Sequence, residues 1–115
     1  MISKNFHRSE FKCKCGKCDC DTVDAELLEI LEKIRTHFDS PVHITSGHRC
    51  HAYNASAAVM GSPNSLHLQG RAADIVVQGV PAEVVQELCE DLAVPGLGKY
   101  AVFTHIDTRT GKARW

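Results

Sequence analysis

The sequence predicts an α+β domain in which a small antiparallel sheet carries helices packed on one face. Three observations predict this class. Residues 25–38 and 81–92 place apolar side chains at helical spacing. Short apolar runs at 42–45, 72–77 and 100–107 have the length and composition of strands. A turn sequence after the last run returns the chain as a hairpin, so part of the sheet is antiparallel.

The overall composition is that of one ordinary folded domain spanning residues 1–115. A chain of 115 residues builds a single compact core but not two. The net charge is −1 without a basic tail, so we expect no nucleic-acid partner. No apolar stretch approaches the ~20 residues of a membrane-spanning helix, so we expect no membrane insertion. The start lacks the apolar segment of a secretory signal peptide, and we expect a monomer that is cytoplasmic as synthesised.

The first half of the chain contains the most regular predicted element. Residues 1–22 predict an irregular, Cys-rich segment held to the domain by Phe6 and Phe11. The following helix starts after Thr22 or Asp24, either of which can cap it, and its acidic first turn suits the helix dipole. Pro41 then ends the helix, and the apolar VHIT sequence predicts a strand at 42–45.

The second half begins with a long connection from 46 to 70, with a short helical turn predicted at 54–60. The AADIVV run predicts a buried strand, and the helix after it has Pro81 in its first turn. A glycine-containing break, GLG, separates that helix from the strand at 100–107. We expect Tyr100 and Trp115 to close the core or the sheet edge.

Three polar residues could meet on one side of this sheet. Asp74 starts one predicted strand, His105 lies near the end of another, and His67 sits in the loop before Asp74. Two imidazoles and one carboxylate form the open three-ligand set of a catalytic zinc, which leaves a position for water. The alternative is that the histidines lie at the surface and the aspartate caps a turn.

A wider pattern surrounds these residues. SGHR at 46–49, Asn54, S-x-H-x-x-G-x-A-x-D at 65–74 and HID at 105–107 occur in that order. Over roughly residues 40–115 the chain resembles the zinc D-alanyl-D-alanine carboxypeptidase and cell-wall endopeptidase family, whose fold hedgehog signalling domains share. The resemblance implies Zn²⁺ held by His67, Asp74 and His105, and a peptidoglycan stem peptide as substrate.

Further residues of the pattern are candidates for contact with the substrate. The resemblance assigns Arg49 to the substrate or to the developing oxyanion, a task that suits a permanently charged planar donor. A surface ion pair is the alternative for Arg49. Ser65 is a candidate for substrate contact or for orienting His67, and His48 for lining the cleft; an ordinary turn serine and an exposed loop histidine are the alternatives. Gly70 allows a tight turn between two ligands.

The residue that moves the proton is the weakest part of the pattern. Related enzymes carry an acid three residues before the last histidine ligand, where this chain has Val102. Asp107 is the substitute, because residues i and i+2 of a strand share a face. Asp107 could instead hold His105 through a hydrogen bond or cap the following turn. Without a base the domain would be a non-catalytic zinc-binding structural or interaction domain on the same fold.

The cysteines suggest a second site. Cys13, Cys15, Cys18 and Cys20 form a C-x-C-x-x-C-x-C cluster, which could bind a structural metal through four thiolates. Disulfides, which a reducing compartment disfavours, and free thiols are the alternatives. Cys50 could replace one ligand or bridge to the cluster, and Cys89 is expected in the core. A thiol-rich metal or redox module is a third functional hypothesis.

The biological setting follows from the predicted activity. A cytoplasmic cell-wall peptidase without a wall-binding module fits a phage or prophage lysis enzyme, or a phage tail-associated protein. The bond that is cut, D-Ala-D-Ala or L-Ala-D-Glu, stays open at this point. Loops such as 50–64 are expected to decide it.

Overall fold

The computed structural model describes residues 2–56 and 59–115. Helices and strands alternate up to the third helix, after which three strands follow in succession, and two short 3₁₀ turns lie at Arg8–Phe11 and Leu66–Gln69. The helices are α1 (Ala25–Phe38), α2 (His51–Ala55) and α3 (Ala82–Asp91). The strands are β1 (Val42–Ser46), β2 (Ala72–Val77), β3 (Gly96–Lys99), β4 (Thr104–Asp107) and β5 (Ala113–Arg114).

The strands form one sheet in the order β1-β2-β4-β3-β5. Every neighbouring pair is antiparallel except β3 and β5, which run parallel. Helices α1 and α3 contact each other and the same sheet. The predicted α+β class is therefore confirmed. In the described ranges, no helix has the length and apolar character needed to cross a membrane.

Helix α1 has the boundaries that its sequence predicts. The Asp24 side chain accepts a hydrogen bond from the backbone N–H of Leu27 at 3.2 Å and so caps the first turn. Leu27, Leu31 and Ile34 are fully buried on the sheet side. The helix ends where Asp39 adopts a left-handed conformation with φ 48°, shortly before the proline predicted to stop it.

The two faces of the sheet differ in chemistry. Ala73 and Ile75 of β2 and Ile106 of β4 belong to the apolar core under the helices. Because side chains alternate along a strand, Asp74 and His105 point to the opposite face. Asp74 and His105 therefore lie on the face that the two longer helices leave uncovered.

The predicted glycine break is a strand. GLG forms most of β3, and the strand predicted at 100–107 is limited to β4. A Cβ atom on Gly96 would overlap the Asp107 carboxylate, and one on Gly98 would lie 2.7 Å from Trp115 Nε1. Glycine is required at both positions because neighbouring side chains occupy the space that a Cβ atom would need. Between the strands, the rings of Tyr100 and Phe103 stack at 4.3 Å.

The predicted C-terminal hairpin is also wrong in its pairing. Instead of pairing with β4, β5 pairs with β3 in parallel orientation. The Trp115 N–H donates to Leu97 O at 3.1 Å. In addition, α2 begins at His51, three residues before the predicted helical turn. Residues 57 and 58 of that predicted turn lie outside the described residues. Pro81 immediately precedes α3 rather than lying in its first turn.

The N-terminal segment packs on the domain, as predicted for residues 1–22. Phe6 and Phe11 are each 1% exposed, and their rings lie 6.1 Å apart. Glu32 of α1 accepts hydrogen bonds from the Ser3 hydroxyl at 2.5 Å and from the Asn5 side-chain amide at 2.6 Å. It also accepts one from the Asn5 backbone N–H at 2.8 Å. One carboxylate thus fixes the start of the chain.

We expect Glu32→Gln to destabilise the protein at neutral pH by about 1 kcal/mol, because an amide oxygen replaces only part of the acceptor capacity. Partial burial opposes ionisation of Glu32, but the hydrogen bonds from Ser3 and Asn5 lower its pKa overall. Its contribution is therefore complete above the ordinary carboxyl pKa and disappears as pH falls through the lowered one.

Denaturant unfolding at several pH values measures this difference. Glu29→Gln is the matched control, because Glu29 is exposed and only meets Lys33 at 3.9 Å. Equal destabilisation by the two variants, or a Glu32→Gln effect that persists unchanged in acid, would contradict the assigned role.

Candidate metal centre and cleft

Three buried side chains from three elements converge on one point. His67 comes from the second 3₁₀ turn, Asp74 from β2 and His105 from β4. Asp74 and His105 are direct partners in the β2–β4 register. One nitrogen of each histidine and one oxygen of Asp74 all lie within 4.8 Å of one another. The structure thus brings together the three predicted metal ligands.

The backbone around His67 fixes its ring. The Ser65 hydroxyl accepts the His67 backbone N–H at 3.2 Å, and Gly70 ends the turn with φ 67°. His67 Nδ1 lies 2.7 Å from the carbonyl oxygen of Gly47, which requires a proton on that nitrogen. The other nitrogen, Nε2, is buried without a hydrogen-bond partner in the part of the chain that the structure describes. Its lone pair is available to a metal.

His105 is held in a similar way from its far side. Its Nε2 lies 2.8 Å from Asp107 Oδ2, and its Nδ1 lies 3.0 Å from Asp74 Oδ1. A carboxylate that accepts the Nε2 proton leaves the Nδ1 lone pair directed at Asp74. His67 Nε2 also lies 3.3 Å from Asp74 Oδ1, so two imidazole nitrogens face one carboxylate oxygen. Two imidazoles and one ionised carboxylate that converge in this way are a donor set that fits a divalent metal.

The ionisation of the acids agrees with this arrangement. Burial alone would raise the pKa of Asp74, but the imidazoles of His105 and His67 beside the carboxylate hold it well below its usual range. Burial also opposes ionisation of Asp107, yet hydrogen bonds from Arg109 and His105 lower its pKa strongly. Both carboxylates are therefore ionised at neutral pH, which is the state that a metal ligand and its supporting group require.

Arg49 reaches the same carboxylate from the loop after β1. Its Nη2 donates to Asp74 Oδ2 at 3.1 Å, and the guanidinium also donates to Ser46 at 2.9 Å and Asn54 at 3.2 Å. The side chain is only 12% exposed. The ion pair considered as an alternative for Arg49 is therefore made with a predicted metal ligand, and it places the guanidinium at the site.

A cleft of about 590 Å³ opens above these residues. Tyr100, Phe103 and Trp115 form its aromatic wall, and Arg109 lies 4.8 Å above the centre of the Trp115 ring. Trp115 is also 5.0 Å from the His105 ring. Trp115 does lie at the sheet edge, as expected, because its backbone continues β5 alongside β3. The expectation did not include the cleft, which both Tyr100 and Trp115 line.

Sequence reasoning missed Arg109 and the aromatic wall. Arg109 follows Asp107 by two residues, and its guanidinium donates to both oxygens of that carboxylate, at 2.8 and 2.7 Å. An arginine so close to a candidate acid is a sequence signal that could have found it. Trp115 has no such signal, because only the pairing of β5 brings it near His105.

Two predicted residues take supporting positions. His48 does not line the cleft: its Nδ1 accepts the Thr22 backbone N–H at 3.0 Å, and its Nε2 donates to Leu68 O at 3.2 Å. Asp107 has no exposed surface, and its geometry is that of the residue that holds His105. Val102, which stands at the family's usual acid position, is 78% exposed and lies in the connection between β3 and β4.

The cysteine cluster in the structure differs from the predicted one by one residue. Cys13, Cys15 and Cys18 lie together as predicted, but the fourth member is Cys50 and not Cys20. The segment folds back on itself, with the Cys13 N–H donating to Cys20 O at 2.7 Å, and the Cys50 N–H donates to the Cys13 sulfur at 3.4 Å. Cys89 is fully buried in the apolar core, as expected.

The sequence profile of the Peptidase M15 family matches residues 4–107. The chain belongs to this family. M15 peptidases depend on zinc, and the His67–Asp74–His105 set supplies the donors that such a metal needs. The match begins well before residue 40, so the N-terminal segment is part of the M15 domain. No curated protein matches the chain significantly.

We expect Asp107→Asn to weaken zinc binding by this M15 domain by about 10–100-fold, because the carboxylate that holds His105 is lost. Competition with a chromophoric chelator measures the affinity. Asp91→Asn, at the exposed end of α3, is the control and leaves the affinity unchanged. Unaltered zinc affinity in Asp107→Asn together with lost hydrolysis would instead assign Asp107 to proton transfer.

Proposed function

We propose that the chain is a zinc peptidase that hydrolyses peptide bonds in peptidoglycan stem peptides, as a D-Ala-D-Ala carboxypeptidase or a cell-wall endopeptidase. One observation carries the proposal: two buried imidazole nitrogens face the same carboxylate oxygen at the base of a cleft. Membership of the M15 family supports the peptidase chemistry. The sequence resemblance described above supports the peptidoglycan substrate.

His67 Nε2, Asp74 Oδ1 and His105 Nδ1 would hold the metal. Three protein ligands leave a position for water or substrate, as catalytic zinc sites do. Bound zinc supplies a Lewis acid for the scissile carbonyl and lowers the pKa of water to about 7. Gly47 and Asp107 keep both imidazoles in the tautomers that this ligation needs.

Arg49 is the donor for the carbonyl oxygen of the scissile bond. Its guanidinium lines the cleft, and Ser46 and Asn54 fix its plane through hydrogen bonds. Such a preorganised, permanently charged donor stabilises the oxyanion that develops in peptide hydrolysis. The contact with Asp74 keeps this donor beside the metal ligands.

The charges around the cleft favour an anionic peptide. Arg49 pairs with Asp74 at 3.1 Å and Arg109 with Asp107 at 2.7 Å, so these four charges cancel. A bound divalent cation then gives the site a net charge of about +2. Stem peptides carry free carboxylates that this field attracts, and the aromatic wall offers apolar contact to their short side chains.

Asp107 acts as a positioning residue in this proposal. Both of its oxygens accept hydrogen bonds from Arg109, and Oδ2 also faces His105. Among the described residues, Asp74 is the only carboxylate that lines the cleft. Val102, at the position where related enzymes carry an acid, is 78% exposed and is not among the residues that line the cleft.

Hydrolysis of purified peptidoglycan and of a peptide ending in D-Ala-D-Ala tests the function. We expect the zinc-loaded wild type to cut one of them and His67→Ala to be inactive, because a metal ligand is removed. His43→Ala is the control, since His43 is exposed on β1 and its ring lies 3.3 Å from the Gln78 side chain, away from the cleft. Mass spectrometry distinguishes released D-Ala from new internal termini.

Two results would overturn the proposal. Equal hydrolysis by the wild type and His67→Ala would exclude the assigned centre. Stoichiometric zinc in the wild type without cleavage of either substrate would favour the non-catalytic zinc domain instead.

We expect Arg49→Gln to lower kcat about 100-fold while zinc content is maintained, because one oxyanion donor is lost. Arg35→Gln is the control, since Arg35 lies on α1 and pairs with Asp39 away from the cleft. Steady-state kinetics and metal analysis of the same preparations measure both quantities. A rise in KM with unchanged kcat would assign Arg49 to substrate binding alone.

A further inference from the structure

A second cluster of metal-binding side chains lies outside the cleft. The sulfur atoms of Cys13, Cys15, Cys18 and Cys50 all lie within 4.8 Å of one another. Cys13 and Cys50 sulfurs are 3.8 Å apart, and Cys15 and Cys18 sulfurs are 3.3 Å apart. All six cysteines of the chain are free thiols. Three members come from the N-terminal segment and the fourth from the start of α2.

We propose that these four cysteines bind one structural Zn²⁺ as thiolates. In a tetrahedral site with Zn–S bonds of about 2.3 Å, the sulfurs lie about 3.8 Å apart. The separation of the Cys13 and Cys50 sulfurs agrees with this value. Disulfides would join sulfurs in pairs, whereas here four sulfurs converge on one point, which is what a single tetrahedral ion requires.

The backbone around the sulfurs is arranged to accept negative charge. The N–H of Lys17 donates to the Cys15 sulfur at 3.2 Å, and the N–H of Cys50 donates to the Cys13 sulfur at 3.4 Å. The N–H of Tyr53 donates to the Cys50 sulfur at 3.4 Å. Hydrogen bonds of this kind orient and stabilise thiolate ligands.

The local sequence suits the same role. Gly16 has φ 75°, which lets the C-G-K-C turn direct the Lys17 N–H at the first cysteine. Lys12, Lys14 and Lys17 alternate with the cysteines in the sequence. Four thiolates around one Zn²⁺ carry a net charge of about −2, which neighbouring ammonium groups offset.

The proposed ion would connect the N-terminal segment to the loop that carries Arg49. Cys50 follows Arg49 directly, and the His48 N–H donates to Phe11 O at 2.9 Å next to Cys13. A Cβ atom on Gly47 would lie 2.7 Å from Phe11 Cα, so this contact is tight. The thiolate site therefore supports the loop whose Gly47 and Arg49 contact the cleft residues. It does not depend on the proposed peptidase function.

Zinc content of purified, zinc-loaded protein after desalting tests the site. We expect two equivalents in the wild type, one in His67→Ala and one in Cys18→Ser. Cys20→Ser is the matched control, because Cys20 belongs to the same sequence cluster but not to the spatial one, and it keeps two. Two equivalents in Cys18→Ser, or none in His67→Ala, would overturn the proposal.

Cobalt loading identifies the ligands by a signal independent of activity. Co²⁺ bound to thiolates gives intense near-ultraviolet charge-transfer absorption. We expect this absorption in the wild type, His67→Ala and Cys20→Ser, and its loss in Cys18→Ser. Its absence from the wild type, or iron in place of zinc at the cysteines, would contradict the assignment.

A titration of the wild type alone covers the case in which Cys18→Ser fails to fold. A mercurial reagent that blocks thiols should release one of the two zinc equivalents and leave the other on the histidine site. Release of no zinc, or of both together at the same reagent ratio, would refute a separate thiolate site.

Discussion

The site and much of the fold around it depend on the buried carboxylate of Asp74. Its Oδ1 faces His67 and His105 while its Oδ2 accepts from Arg49, so one side chain joins three separate parts of the chain. A charge at this depth is stable only when its partners stay in place. The need to keep these partners beside the Asp74 carboxylate links β2 to β4, to the 3₁₀ turn that carries His67 and to the loop after β1.

Small residues make this arrangement possible. Gly96 leaves room for the Asp107 carboxylate across β3, and Gly47 lets the Phe11 backbone approach the loop that holds His67. The Gly47 carbonyl and the Asp107 carboxylate beside Gly96 each fix one of the two candidate histidine ligands. The groups that orient the two histidines therefore depend on the space that these glycines leave, as well as on hydrogen bonds.

The two candidate metal-binding clusters lie at opposite ends of one short loop. Gly47 supports the histidine centre, and Cys50 belongs to the thiolate cluster only three residues later. The N-terminal segment contacts this loop through hydrogen bonds from the loop's backbone to Phe11 O and to the Cys13 sulfur. Its inclusion in the match to the M15 family agrees with a structural part in the domain.

Local patterns in the sequence by itself determined α1 and β2 and indicated the three candidate ligands His67, Asp74 and His105, because periodicity and a short motif depend on near neighbours. Tertiary structure alone decided the strand identity of GLG, the parallel β5 that brings Trp115 to the cleft, and the exchange of Cys20 for Cys50. These features arise from contacts between residues far apart in the chain. Spacing carries no information about such pairings, since they form only when the sheet and the loops pack together.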